Sequence, residues 1–92
     1  MIDMTKAEKM ECKRFAKEGM KDAGLKVNLK DMILLEMSFS STGSLRYVGN
    51  TEMHIDYVMF EDAKTGNQYQ VFYGKIYYNP KTKSLYKVNQ YA

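Results

Sequence analysis

The 92-residue chain has no Trp and only one Cys, one His and one Pro. A single cysteine excludes an internal disulfide framework and any zinc knuckle built on thiolates. The longest apolar run, Met32-Ile33-Leu34-Leu35, is far too short to cross a bilayer. Residues 1–10 hold no apolar stretch of the length a signal peptide needs. The expectation is therefore a protein without a membrane partner, in a reducing, cytoplasmic setting. Gly43, Gly49, Gly66 and Gly74 are scattered, so no glycine-rich loop is present to cradle a phosphate. No cofactor and no metal are expected. Residues 64–92 contain no acidic side chain at all.

What remains is a globular composition, with 45% hydrophobic and 27% charged residues, eight Tyr and eight Met. A chain of this length supports one domain, residues 1–92, with a core that needs no covalent staples. The methionines read as adaptable core filler.

The first element is a helix over about residues 6–23. Thr5-Lys6-Ala7-Glu8 fits a capping box, and Gly24 is placed to take the left-handed conformation that ends a helix. Cys12, Phe15, Ala16, Gly19, Met20 and Ala23 fall on one face at 100° per residue. The small residues there imply close approach to something flat, and Cys12 reads as a buried structural thiol.

The rest, about residues 32–91, reads as sheet. Ile33, Leu35, Met37 and Phe39 alternate with Leu34, Glu36, Ser38 and Ser40, the period of a half-buried strand. Residues 27–31 read as a loop in preference to a short extra strand or the start of a helix running to Met37, and Ser41–Ser44 reads as a second loop. Leu45–Val48 is expected to open the next strand, with Gly49 and Asn50 as a bulge or break. In that strand Met53, Ile55, Tyr57 and Met59 alternate with Glu52, His54, Asp56, Val58 and Phe60. Ala63–Asn67 reads as a hairpin turn, Gln68–Tyr78 as one long third strand, and Leu85–Tyr91 as the last.

The expected fold class is α+β: one N-terminal helix packed on a four-stranded antiparallel meander in α-β-β-β-β order. This order is similar to that of the cystatin-like fold, whose members include protease inhibitors. The inhibitory loop of that family reads Gln-x-Val-x-Gly. In Gln70-Val71-Phe72-Tyr73-Gly74 the valine stands one place early, so inhibition of proteases is not carried over.

Charge is informative only when divided. The formal net charge of +3 resolves into +3 over residues 1–30, −5 over 31–63 and +5 over 64–92. Lys9, Lys13, Lys17 and Lys21 recur at intervals of four, a basic stripe along the helix. Tyr69, Tyr73 and Tyr77 share one face of the long third strand with Val71 and Lys75. If the other face meets the helix, these tyrosines present an aromatic ladder suited to a protein interface.

Enzymatic function is not expected. Glu52, His54 and Asp56 share a strand face, but no nucleophile stands nearby, and side chains two apart on a strand lie about 7 Å apart. The function expected is a small non-enzymatic protein-binding module. Its contact residues would be Tyr69, Tyr73, Tyr77, Glu52, Asp56, Glu61 and Asp62, with the turns at 63–67 and 79–83 beside them. In size and make-up the chain resembles the short accessory proteins of phages and mobile elements, including inhibitors of host proteins such as anti-CRISPRs. For such an inhibitor the acidic residues would imitate phosphates against a basic channel. The alternative is nucleic-acid binding through Lys13, Arg14, Lys17 and Lys21 together with Lys75, Lys81, Lys83 and Lys87. A bare sheet edge also leaves room for a homodimer.

Overall fold

A computed structural model describes residues 4–72, 75–79 and 89–90. It is α+β: helix α1 (Lys6–Asp22) lies across an antiparallel sheet. The sheet runs β1 (Met32–Val48), β2 (Thr51–Asp62), β3 (Gln68–Phe72), β4 (Lys75–Asn79) and β5 (Asn89–Gln90), in that spatial order. A single 3-10 turn, Leu29–Asp31, leads into β1 in place of the expected loop.

Both helix ends form as their residues dictate. The Thr5 hydroxyl accepts the Glu8 N–H at 3.1 Å, and the Glu8 carboxylate accepts the Thr5 N–H at 2.8 Å. At the other end Gly24 takes φ +80°, Leu25 N–H donates to the Met20 carbonyl at 2.8 Å, and Gly24 N–H to that of Lys21 at 2.9 Å. That is the paired closure of a Schellman motif. Cys12, Phe15, Ala16, Gly19 and Met20 face the sheet and are buried. Gly19 is needed for the approach, since a Cβ there would stand 2.3 Å from Val71 Cγ1.

The strands depart from simple alternation at three irregularities. Leu34 pairs with Phe60 and Glu36 with Met59, so Leu35 is an extra residue in β1. Ser38 pairs with Tyr57 and Phe39 with Ile55, which makes Asp56 the extra residue in β2. Phe39 and Ser44 both sit opposite Ile55, and residues 40–43 form a four-residue excursion. Each single-residue bulge flips the faces of the residues beyond it. The helix side of β1 is therefore Met32 and Leu34, then Met37 and Phe39; that of β2 is Met53 and Ile55, then Val58 and Phe60. The expected faces hold on only one side of each bulge.

Three further expectations are corrected. Ser41–Ser44 is no interstrand loop but lies within β1. Leu45–Val48 closes β1 instead of opening β2, and Gly49-Asn50 is the two-residue hairpin turn between them, with Gly49 at φ +64°. The single long strand over 68–78 is two: Phe72 pairs with Lys75 and Val71 with Ile76, so the chain reverses between them. The region expected as the last strand lies almost wholly outside the described residues, save for Asn89 and Gln90 in β5.

Candidate functional site

The strand register sorts the side chains of β1 and β2 onto two sides of the sheet, and the bulges decide which. On the side away from the helix stand Ile33, Leu35, Leu45 and Tyr47, large apolar residues between 41% and 60% exposed. Four carboxylates share this side: Glu36, Glu52, Asp56 and Glu61. Among the described residues none of the four is paired with Lys or Arg. The Tyr57 hydroxyl donates to Glu36 at 2.5 Å, the Ser38 hydroxyl to Asp56 at 3.5 Å and the Gln68 amide to Glu61 at 3.5 Å. The bond from Tyr57, with its half-buried position and the neighbouring carboxylate charges, raises the pKa of that phenol.

His54 belongs to the same side and binds Glu52. The two side chains are near enough after all, because a glutamate is long enough to bring its Oε2 to 2.7 Å from Nε2. Nδ1 lies 3.4 Å from the Gly43 carbonyl, inside the excursion of β1. Both ring nitrogens thus face acceptors, an arrangement that the doubly protonated imidazolium satisfies completely. The hydrogen bond to Glu52, then that to Gly43, raises the His54 pKa above its ordinary 6.5. Asp56, displaced by its bulge, bonds Ser38 and not the ring. The three residues do not form a relay.

The only Lys or Arg of β1 and β2 is Arg46, and it points the other way. Its guanidinium lies 5.4 Å from the Phe15 ring centre and donates to Glu18 at 2.6 and 3.2 Å, with Glu11 at 3.9 Å. Glu11, Glu18 and Asp22 occupy one flank of α1, and the lysines the other. Arg46 clamps the acidic flank to the sheet and is thereby removed from the outer face. The bond to Arg46 lowers the Glu18 pKa and raises that of Arg46. This residue was missed in the sequence because its closest partner lies 28 positions away.

The residues expected to bind a protein are divided by this geometry. Glu52, Asp56 and Glu61 lie on the outer side as described. Asp62 does not. It pairs with Met32 on the helix side, is only 8% exposed, and accepts the Lys64 N–H at 2.9 Å to shape the turn after β2. Tyr69 does not either. It is 7% exposed and stacks on Phe60 with ring centres 5.2 Å apart. The aromatic ladder expected on an open face is thus broken, because the strand reverses and Tyr69 shares the helix side with Val71 and Ile76. Tyr77 pairs through its backbone with Gln70, and Tyr73 lies outside the described residues. Glu36, Leu45 and Tyr47 were missed, since only the register shows that they join the others.

Of the residues expected to bind nucleic acid, Lys13, Arg14, Lys17 and Lys21 lie along α1, with Arg14 bonded to Glu11 at 3.0 Å. Lys75 opens β4; Lys81, Lys83 and Lys87 lie outside the described residues. Among the described residues no group of three His, Cys, Asp or Glu is placed to hold a metal ion, and no helix is long and apolar enough to cross a membrane. No family model, curated protein or solved structure matches the chain.

Proposed function

We propose that the protein is a non-enzymatic binding module whose contact surface is the outer side of β1 and β2, and whose partner is a basic protein surface. One observation carries the reading. Four exposed apolar side chains stand among four carboxylates, and no Lys or Arg of the two strands shares their side. Exposed apolar side chains in two pairs, Ile33 with Leu35 and Leu45 with Tyr47, interspersed with mostly acidic groups, have the mixed composition of a docking face. Like charge on the patch steers an oppositely charged partner and repels others. Tyr47, the most exposed of the four, offers the large and conformationally inexpensive contact area typical of interface anchors.

A protein that itself binds nucleic acid has such a basic surface, and carboxylates in place of phosphates would occupy it. Inhibition of a host protein of that kind, as a phage- or mobile-element-encoded inhibitor such as an anti-CRISPR would practise it, is the specific form of the proposal. A homodimer through the same side is disfavoured, because two negative faces would meet. The helix laid over an antiparallel meander also supports a cystatin-like outline, on element order alone.

The test is capture by the immobilised full chain from a lysate, quantified against variants. Tyr47→Ser with Leu45→Ser, and separately Glu36→Lys with Glu61→Lys, should abolish capture of a specific partner. Lys9→Glu with Lys13→Glu on the helix should leave it intact. Capture indifferent to both changes on the sheet overturns the proposal.

The second reading, nucleic-acid binding, is favoured by the lysine flank of α1, which faces away from the acidic side of the sheet. It requires affinity for generic DNA or RNA that falls steeply with salt and is lost on reversing Lys13, Lys17 and Lys21.

A further inference from the structure

We infer that the hollow at the C-terminal end of α1 is a binding site for a small ligand that joins phosphoryl groups to an apolar or planar body, as a nucleotide does. The hollow has a volume of about 560 Å³. It is formed by the last two turns of α1, the segment after it and the turn between β2 and β3. Met20, Leu25 and Val27 give it an apolar wall, and Asn28 with Lys17, Lys21, Lys26 and Lys64 lines the rest.

Two acids, Asp31 and Asp62, also line it, and the chain itself engages one oxygen of each. Lys64 Nζ lies 3.6 Å from Asp31 Oδ2, and the Lys64 N–H donates to Asp62 Oδ1 at 2.9 Å. The remaining three cations have no ion-pair partner among the described residues. Lys17 and Lys21 stand one helical turn apart over the apolar wall. The Schellman closure ties the carbonyls of Met20 and Lys21 to Leu25 and Gly24, which reduces the negative end of the helix that would otherwise repel an anion. Three unpaired ammonium groups around an apolar wall select a ligand that is both anionic and apolar, and the volume admits one of nucleotide size. None of these residues belongs to the sheet side assigned above to a protein partner.

The test is an amide NMR titration of the full chain with ATP, with sodium triphosphate, with adenosine and with a short oligothymidylate. ATP should shift the amides of Met20 and of residues 25–28 and 62–64. Charge-assisted contacts predict that Lys17→Glu with Lys21→Glu weakens ATP binding about tenfold or more, whereas Lys6→Glu with Lys9→Glu leaves it unchanged. The amide spectrum of each variant verifies its fold, since all four lysines are exposed. Triphosphate alone binding as tightly as ATP overturns the role of the apolar wall. Oligothymidylate binding here more tightly than ATP overturns the free-ligand assignment in favour of a strand. Shifts spread evenly along the lysines of α1 overturn the site.

Discussion

Gly19→Ala should destabilise the protein, although alanine is the better helix former. In an exposed helix interior the change stabilises by about 0.5–1 kcal/mol, through lower backbone entropy in the unfolded chain. Gly19 is not exposed. An added Cβ stands 2.3 Å from Val71 Cγ1, with Val71 Cβ at 3.6 Å and Ile76 Cδ1 at 3.8 Å. Ordinary contact begins near 3.4 Å, so helix and sheet must part by about an ångström or Val71 must leave its rotamer. Val71 is β-branched, fully buried and paired on both sides, to Val58 and Ile76. Overpacking costs roughly 1–3 kcal/mol, and an approach this close to a fully buried side chain belongs in the upper half, about 2–3 kcal/mol, so the net loss after the propensity gain is about 1–2.5 kcal/mol. For a domain this size that lowers Tm by roughly 4–20 °C, read in a thermal melt and checked by urea unfolding with unchanged m. The double-mutant cycle is sharper. Val71→Ala alone opens a cavity, but in the Gly19→Ala background it also removes the clash, so the two changes should couple favourably by about 1 kcal/mol. A Gly19→Ala protein as stable as the parent, or additive behaviour in the cycle, would refute the close-approach reasoning.

Three other predictions concern groups whose titration the fold perturbs. The Glu18 pKa is lowered by Arg46, so its contribution is present above the ordinary carboxylate pKa of 4.5 and is lost as pH falls through the lowered value. Arg46→Met should return Glu18 toward 4.5 in a carboxyl NMR titration; an unchanged Glu18 would show that the clamp does not persist in solution. The His54 pKa is raised, so any stabilisation is complete below 6.5 and fades as pH rises through the raised value. Glu52→Gln should bring the ring back toward 6.5, and a parent His54 titrating at or below 6.5 would contradict the two-acceptor geometry. Burial first, then Glu11 and Glu8, pushes the Cys12 thiol up to about 11, so a disulfide reagent at about pH 8 should react slowly with the native protein and rapidly in denaturant. Equal rates would mean that the face of α1 bearing Cys12 is not held against the sheet.

Helix α1 was legible because its signals are local: Thr5 and Glu8 lie three residues apart, and Gly24 follows the last turn directly. The sheet faces were only half legible. Nothing in Leu35 or Asp56 marks a bulge, since neither is Gly or Pro, yet each changes the phase of its strand by one residue. Alternation therefore assigns Ile33 and Leu35 to the core when they are exposed, and Val58 and Phe60 to the outside when they are fully buried. The reversal after Phe72 was hidden for a related reason, because an unbroken run of aromatic and branched residues reads as one strand. Of the candidate contact residues, the acidic members of β2 were found from charge alone. Arg46, Leu45 and Tyr47 depended on register, which alternation does not supply.

The bulge at Asp56 has a second effect that bears on function. Had β2 alternated without interruption, its two acidic ends would have faced opposite sides. Glu52 and Asp56 would have stood on one and Glu61 on the other. The extra residue brings Glu61 round beside Met59, and the bulge at Leu35 carries Glu36 to the same side. Because Arg46 has turned to Glu18, no guanidinium or ammonium of the two strands offsets the four carboxylates. Four of the six carboxylates of residues 31–63 thus share one side of the sheet, opposite the lysine flank of the helix. Repulsion among such carboxylates costs stability, and it is tolerable where solvent screens them. A partner that buries this side displaces that solvent, and only compensating positive charge makes the burial favourable. On the function proposed above, the same residue shifts that bring the carboxylates to one side favour a basic partner.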